Sequence, residues 1–231
     1  MSRALDPEPI RACVFDAYGT LLDFSSAVAG EKAVLGERAD ALDALWRRKQ
    51  LEYTWLRALM RRHADFRTVT AEALDHAMEA LGIGDEGLRD RLLAAYDRLA
   101  PYPEVPATLE RLAAGGLRLA ILSNGTPEML ASGVASAGIG GRLEAVLSVE
   151  EVGVFKPAPE VYMLATRSLG LAAREIAFLS SNAWDAHGAA SFGFRAVWIN
   201  RSGAPCERLP GEFAAEIPSL AELPALLGVA S

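Results

Sequence analysis

A single carboxylate, Asp16, stands where a short apolar run of the chain ends. The run Ala12-Cys13-Val14-Phe15 predicts a buried strand, and Gly19 marks the turn that follows it. Open α/β sheets bind their ligands at the carboxyl ends of strands. A carboxylate held there in line with a carbon atom gains an effective molarity of roughly 10⁵–10⁸ M as a nucleophile. Asp16 is therefore a candidate catalytic residue, although an Asp at this place can also be a turn residue or a helix N-cap.

Polar clusters follow three other strand-like runs far down the chain. They are Ser123 and Asn124 after residues 117–122, Lys156 after residues 154–155, and Ser180, Asn182 and Asp185 after residues 176–179. A buried carboxylate must stay ionised to attack, so it needs a nearby cation, and Lys156 is the candidate. Each Ser, Asn or Asp can otherwise be an ordinary cap, and Lys156 a surface loop residue.

The elements that must position these residues alternate from about residue 104 onward. Helical patterns at 104–114, 127–137, 159–169 and 185–190 alternate with strand-like runs at 117–122, 145–148, 176–179 and 196–199. Strands that alternate with helices indicate a mainly parallel sheet covered by helices on both faces. We therefore predict an α/β, Rossmann-like, doubly wound core.

Residues 22–100 interrupt this alternation and contain no convincing strand. Their apolar residues recur at helical spacing, as in Leu42, Leu45, Trp46, Tyr53, Leu56 and Met60. Pro101 and Pro103 end the region, as Pro does where a helix must stop. The sequence predicts an all-helical cap domain at 22–100, inserted into a discontinuous core domain of 1–21 and 101–231.

The ordered set of motifs resembles the haloacid dehalogenase superfamily over almost the whole chain. The motifs are Asp-x-x-Gly-Thr at 16–20, Ser-Asn at 123–124, Lys-Pro at 156–157 and a final segment that ends at Asp185. Residues 15–23 and 45–56 resemble the (S)-2-haloacid dehalogenases in particular. That resemblance implies a hydrolase that converts short (S)-2-haloalkanoic acids to (R)-2-hydroxy acids and halide. Asp16 would attack C2 with inversion and form a covalent ester, which water then opens.

The resemblance also assigns roles to single residues. Lys156 would neutralise Asp16, and Asp185 would orient Lys156 and help to activate the water. The side chains expected to hydrogen-bond within this network are Thr20, Ser123, Ser180, Asn182 and Tyr162. Tyr162 could equally be a core residue with a satisfied hydroxyl.

Substrate capture requires a cation for the departing halide. Helical spacing places Arg47 and Leu51 on one face, but spacing alone does not choose Arg47 over Arg48. The resemblance chooses Arg47, assisted by Asn124. The other residues expected at the substrate are the backbone amides of Ala17 and Tyr18, the side chain of Ser123, and an apolar wall of Tyr18, Leu51, Phe66 and Trp184.

Two substitutions relative to the superfamily's phosphatases argue against a metal or other cofactor. Phosphatases carry a second Asp two residues after the nucleophile, where this chain has Tyr18, and a carboxylate pair in the last motif, where it has Ser180-Ser181-Asn182. A halide leaves as a stable anion and needs no proton. The alternatives are a Mg²⁺-dependent small-molecule phosphatase or phosphonate hydrolase of the same fold, or a degenerate binding protein without activity.

Composition limits the partners of this 231-residue chain. A net charge of −7 argues against binding to nucleic acid or to an anionic membrane, so an anionic substrate needs a local cationic pocket. The two cysteines, Cys13 and Cys206, do not form a disulfide framework, and the N-terminus has no segment like a signal peptide. We expect a cytoplasmic protein without membrane contact, and the resemblance implies a homodimer.

Overall fold

A sheet of six strands forms the centre of the structure, a computed structural model that describes residues 9–229. The strands are β1 (Ala12–Phe15), β2 (Arg118–Ser123), β3 (Ala145–Ser148), β4 (Ile176–Ser180), β5 (Arg195–Ile199) and β6 (Ala215–Ile217). Every neighbouring pair is parallel, and the order across the sheet is β3-β2-β1-β4-β5-β6. The predicted α/β, doubly wound fold is confirmed.

Helices cover the sheet and form a separate layer beside it. They are α1 (Ser26–Ala29), α2 (Lys32–Leu35), α3 (Ala39–Met60), α4 (Phe66–Ala80), α5 (Glu86–Tyr96), α6 (Val105–Ala114), α7 (Pro127–Ala137), α8 (Pro159–Leu169), α9 (Ala183–Phe192) and α10 (Leu223–Leu226). All residues of β1 and β4 are buried, as expected for parallel strands with both faces covered. Continuous apolar runs in the sequence therefore identified these strands.

Asp16 follows β1 at the place where the strand order reverses. After β1 the chain adds β2 and β3 on one side, and β4, β5 and β6 on the other. Ligands of such sheets bind in the crevice outside the carboxyl ends of the strands at this reversal. Gly19 turns the chain away from the crevice with a φ of +86°, a conformation that favours glycine.

Residues 23–100, all of them described, contain α1–α5 and no strand. Helix α3 is 22 residues long and packs along α4, whose N-terminus is capped by Asp65. The apolar pattern identified α3, but Leu56 and Met60 at its end are exposed. Gln50 and Thr54 are buried on α3 instead. Polar residues on the buried side of this helix indicate that this side contacts polar groups as well as an apolar core.

The chain enters and leaves this helical segment at one place. Leu22 pairs with Pro101 in an antiparallel bridge. Backbone hydrogen bonds join Asp23 N–H to the Ala100 carbonyl at 2.8 Å and Tyr102 N–H to the Leu21 carbonyl at 3.1 Å. The two crossings therefore run side by side between the sheet and the helical segment.

The structure contains one strand beyond the sequence predictions. Strand β6 is not predicted, because it has only three residues and lies at the edge of the sheet. The predicted core limits of 1–21 and 101–231 include residues 1–8 and 230–231, which lie outside the described residues.

None of the helices among residues 9–229 has the length and apolar character needed to cross a bilayer.

Candidate active site

The ammonium group of Lys156 lies between two carboxylates. Its Nζ atom is 3.2 Å from Oδ1 of Asp16 and 2.8 Å from Oδ2 of Asp185. The Lys156 and Asp185 side chains are 1% and 0% exposed, so these charges are almost entirely removed from water. Burial alone lowers the pKa of Lys156, but attraction to the two carboxylates outweighs it and leaves the pKa raised. Lys156 is therefore a permanent cation at neutral pH.

The second oxygen of Asp16 accepts hydrogen bonds from uncharged donors. Its Oδ2 atom lies 2.9 Å from Nδ2 of Asn182, 3.1 Å from the Thr20 hydroxyl and 3.5 Å from the Ser180 hydroxyl. The backbone N–H of Ser181 in turn donates to Thr20 at 2.8 Å, which fixes the hydroxyl. Both oxygens of Asp16 are thus held in place by hydrogen-bond donors, Oδ1 by Lys156 and Oδ2 by these uncharged groups.

Asp185 accepts a hydrogen bond on each oxygen. Lys156 occupies Oδ2, and the Tyr162 hydroxyl donates to Oδ1 at 2.8 Å. Burial raises the pKa of Asp185, while Lys156 and Tyr162 oppose that rise. Asn182 is the N-cap residue of α9, so Asp185 lies within the first turn of that helix and is not its cap. With a donor on each oxygen, the arrangement suits a carboxylate and not a carboxylic acid.

Arg47 reaches the same cluster from α3. Its Nη2 donates to Oδ1 of Asn182 at 3.2 Å, across 135 positions of sequence, and its Nη1 donates to Oε1 of Gln50 at 2.6 Å. The guanidinium carbon lies 5.0 Å from the centre of the Phe24 ring. The structure thus brings Arg47, among the arginines of its run, to the residues around Asp16.

Aromatic side chains of the sheet layer meet aromatic side chains of the helical segment. The Tyr18 ring lies 5.6 Å from Phe66 and 5.3 Å from Tyr96, and the Trp184 ring meets Trp55 of α3 edge to face at 5.4 Å. Three of the four residues predicted for the apolar wall, namely Tyr18, Phe66 and Trp184, therefore contact neighbours at the interface between the sheet and the helical segment. Leu51, the fourth, is half-buried one turn after Arg47.

Ser123 and Asn124 make contacts other than those expected. Asn124 is 6% exposed, and its Oδ1 accepts from the backbone N–H of Lys156 at 3.0 Å. The Ser123 hydroxyl accepts from the N–H of Gly125 at 3.2 Å. In this structure the Ser-Asn pair therefore organises the loop that follows β2 and fixes the backbone of Lys156.

The sequence did not single out Gln50, Trp55 or Ser181. A glutamine three residues after Arg47, on the buried side of an amphipathic helix, was the available signal for Gln50. Trp55 follows Arg47 and Leu51 at helical spacing and therefore shares their face. The role of Ser181 rests on its backbone N–H, which no side-chain pattern reveals.

Asp16 and Asp185 are the carboxylates of the cluster, and Lys156 lies between them. Among residues 9–229, no group of three or more His, Cys, Asp or Glu side chains could hold a metal ion. Hard divalent cations take several oxygen ligands, preferably carboxylates. The residues present thus favour charge balance by an ammonium group over coordination of Mg²⁺.

Comparison with known proteins identifies the class of protein that this fold and site define. Residues 10–193 match the family described as haloacid dehalogenase-like hydrolase, and the chain belongs to that family. It is thus a hydrolase with an α/β core.

Named relatives resemble the chain over nearly its full length. It is 47% identical to (S)-2-haloacid dehalogenase 1 of Pseudomonas sp. (strain CBS-3), over 95% of this chain and 97% of that protein. It is 45% identical to (S)-2-haloacid dehalogenase 4A of Burkholderia cepacia, over 95% and 96% of the two chains. A solved structure of L-2-haloacid dehalogenase from Xanthobacter autotrophicus, with chloropropionic acid covalently bound, has a TM-score of 0.88 and 39% identity over 96% of this chain and 100% of that one.

Proposed function

We propose that this protein hydrolyses short (S)-2-haloalkanoic acids to (R)-2-hydroxy acids and halide, with Asp16 as nucleophile. The observation that carries the proposal is the placement of Lys156 between Asp16 and Asp185 at the carboxyl ends of β1 and β4. This arrangement sets an ammonium group, and not a metal, against the Asp16 carboxylate, at the edge where α/β sheets bind ligands. The names of the relatives support the substrate class.

In the first step, an oxygen of Asp16 attacks C2 of the substrate from the side opposite the halogen. The carbon–oxygen bond forms as the carbon–halogen bond breaks, and the halide leaves with the bonding electron pair. Arg47 is the cation beside Asn182 that would stabilise the departing halide. The charge on the halide grows as the bond breaks, so Arg47 acts more strongly on the transition state than on the ground state.

In the second step, water attacks the carbonyl carbon of the Asp16 ester. Asp185 is the nearby carboxylate that can accept a proton from water, held in place by Lys156 and Tyr162. The tetrahedral intermediate then collapses and its bond to the substrate oxygen breaks. The leaving alkoxide takes the proton that Asp185 accepted and departs as the hydroxy acid. Asp16 releases the remaining proton of water to solvent and regains its carboxylate with one oxygen from water. Asn182 and Thr20 hydrogen-bond Asp16 and would steady its carbonyl during this step.

Two backbone amides are suited to hold the substrate carboxylate or the oxyanion. Ala17 and Tyr18 are 0% and 3% exposed, and within residues 9–229 no backbone carbonyl accepts from their N–H groups. Buried backbone N–H groups almost always have an acceptor. A bound anion would supply it at this position, next to Asp16.

The helical segment acts, in this proposal, as a cap domain that closes the site. Arg47 to Asn182, Trp55 to Trp184 and Tyr18 to Phe66 are contacts between this segment and the sheet layer. Closing the site excludes water, which strengthens the electrostatic interactions of the buried charges.

One assay tests the proposal against a phosphatase of the same fold. We expect halide release from (S)-2-chloropropionate, no release from the (R) enantiomer, and no phosphate release from p-nitrophenyl phosphate with or without Mg²⁺. Asp16→Asn should lack activity, because an amide is a far weaker nucleophile than a carboxylate. Mg²⁺-dependent phosphate release without halide release would overturn the proposal.

We also propose that the protein is a homodimer that works in the cytoplasm. The end of α3 exposes Leu56, Leu59 and Met60, at 44%, 81% and 61% of their surfaces, and such a patch suits contact with a second copy. The free thiols of Cys13 and Cys206 suit a reducing compartment. Light scattering of the wild type and of Leu59→Glu tests the dimer, and cell fractionation tests the location.

A further inference from the structure

Gln50 is a polar side chain buried in the middle of α3, with 1% of its surface exposed. Its Nε2 donates to the Thr70 hydroxyl at 2.7 Å and to the Tyr96 hydroxyl at 3.0 Å. Its Oε1 accepts from Nη1 of Arg47 at 2.6 Å. Because the nitrogen faces two oxygens and the oxygen faces a guanidinium group, the amide has only one favourable orientation. Gln50 therefore presents a fixed acceptor to Arg47.

Arg47 has a second possible partner on its own helix. Asp43 precedes it by four residues, the spacing at which opposite charges on a helix attract each other. Both residues line one cavity of about 10 Å³ together with Gln50 and Phe24, so they lie close to each other. Burial raises the pKa of Asp43, whose carboxylate accepts a hydrogen bond from Ser25. A closer cation would stabilise the ionised form of a half-buried carboxylate of this kind.

The structure resolves this competition in favour of Asn182. Arg47 places one nitrogen on Gln50 and another on Asn182, whose own amide group contacts Asp16 at 2.9 Å. A rotation of Arg47 toward Asp43 would break both contacts. It would also cancel the positive charge that a departing halide requires, because an ion pair presents no net charge to a third ion.

We propose that Gln50 is a positioning residue that holds the Arg47 guanidinium toward Asn182 and away from Asp43. The inference rests on the proposed function, in which Arg47 stabilises the halide. The hydrogen bonds of Gln50 go to Arg47, Thr70 and Tyr96 and not to the nucleophile Asp16. Gln50 acts through Arg47, and it connects that residue to Thr70 of α4 and Tyr96 of α5, so that three helices of the segment hold one charge in place.

Gln50→Met tests the inference, since methionine keeps the length of the side chain and removes the acceptor. We expect kcat for (S)-2-chloropropionate to fall about tenfold, with KM within about twofold, because the lost interaction acts on the transition state. Asp43→Asn alone should stay within about twofold of the wild type. The double variant Gln50→Met/Asp43→Asn should recover most of the loss, because the competing partner of Arg47 is then neutral.

A binding measurement separates this inference from the proposed function. Line broadening of the ³⁵Cl resonance reports chloride in contact with the enzyme, with Arg47→Ala as the baseline. We expect Gln50→Met to lose most of the broadening and the double variant to regain it, even if the wild type released no halide from 2-haloacids. If Gln50→Met does not fold, Gln50→Leu carries the same test, because it also lacks the acceptor.

Two outcomes would overturn the inference. One is a Gln50 variant with wild-type kcat and chloride broadening. The other is a double variant no better than the single one, because a purely structural loss at Gln50 would not be repaired by neutralising Asp43. Thermal unfolding of all variants shows whether a change in stability accompanies either result.

Discussion

The hydroxyl of Tyr162 lies 2.8 Å from Oδ1 of Asp185, and both side chains are fully buried. Tyr162 is on α8 and Asp185 on α9, 23 positions later in the chain. The hydrogen bond favours the ionised carboxylate and opposes the rise in the pKa of Asp185 that burial causes. The contact couples the packing of two helices to the protonation of one catalytic candidate.

Tyr162→Phe should therefore change the pH profile of the reaction. Loss of the donor removes a stabilisation of ionised Asp185, so its pKa rises further and the acid limb of the kcat profile moves to higher pH. We expect the acid limb to move by about one pH unit, since a hydrogen bond to a charged group contributes roughly 1.5 kcal/mol and one pKa unit corresponds to about 1.4 kcal/mol. Steady-state kinetics from pH 5 to 9 measure the shift. An unchanged acid limb would mean that Asp185 does not control the rate.

Activity should persist in excess EDTA and should gain little from added Mg²⁺. Lys156 supplies the positive charge between Asp16 and Asp185, and Tyr18 and Asn182 stand where phosphatases of the superfamily carry carboxylates. Halide release measured before and after chelation tests this, with a Mg²⁺-dependent phosphatase treated in parallel as the control. Activity lost to the chelator and restored by Mg²⁺ would contradict the prediction.

Arg47→Ala should lower kcat by about 10²–10³, the typical cost of losing one donor that stabilises charge in the transition state. Arg48→Ala is the matched control and should be nearly silent, because Arg47, not Arg48, donates to Asn182. Kinetics of both variants with (S)-2-chloropropionate make the comparison. Equal losses at the two positions, or a loss at Arg48 alone, would show that Arg47 is not the specific halide-binding residue.

A single turnover in H₂¹⁸O should leave the first product unlabelled. In the ester route the new hydroxyl oxygen of the product comes from Asp16, and the oxygen of water enters the enzyme. Mass spectrometry of the digest, with enzyme in excess over substrate, should find ¹⁸O on the peptide that contains Asp16. Direct attack of water on C2 would instead label the hydroxy acid at once and leave the peptide unlabelled.

Cys13 should be unreactive in the folded protein, because burial raises the pKa of its thiol from 9.0 to about 12. A thiol reagent should modify Cys206, which is exposed, and reach Cys13 only in denaturant. Above pH 9 the unfolded chain loses the Cys13 proton while the folded chain keeps it, so the free energy of unfolding falls until about pH 12. Three pKa units correspond to about 4 kcal/mol, the upper limit of this fall.

Cys13→Ala provides the control for that prediction. Its free energy of unfolding should depend less on pH between 9 and 12 than that of the wild type, as measured by urea titration. Identical slopes for the two proteins would mean that Cys13 ionises as easily in the folded as in the unfolded chain.

Local patterns in the sequence predicted most of the core. Strands β1, β2, β3, β4 and β5 match apolar runs, and β1 and β4 are buried along their whole length, as parallel strands covered on both faces are. Strand β6 has three residues and an exposed position, too little for a periodic signal. The exposure of Leu56 and Met60 also escaped prediction, since a helical pattern does not say which apolar residues remain in water.

Sequence motifs identified residues that lie together in the candidate site, but they did not identify contacts that depend on how the helices pack. The motif residues Asp16, Lys156 and Asp185 do lie together, as the resemblance implied. The contact between Arg47 and Asn182 spans 135 positions, and no local property of either residue encodes it. The buried amide of Gln50 likewise follows from the packing of three helices.

The side-by-side crossings at Leu22 and Pro101 make the helical segment a cassette. Its two ends leave the sheet layer at one point, and insertions of this kind disturb a parent fold little. Arg47, Leu51 and Phe66, which would hold the halide and line one side of the pocket, belong to the cassette, whereas Asp16 and Lys156 belong to the sheet layer. Evolution could therefore exchange or remodel the cassette and reach new substrates while the nucleophile and its counter-ion stay unchanged.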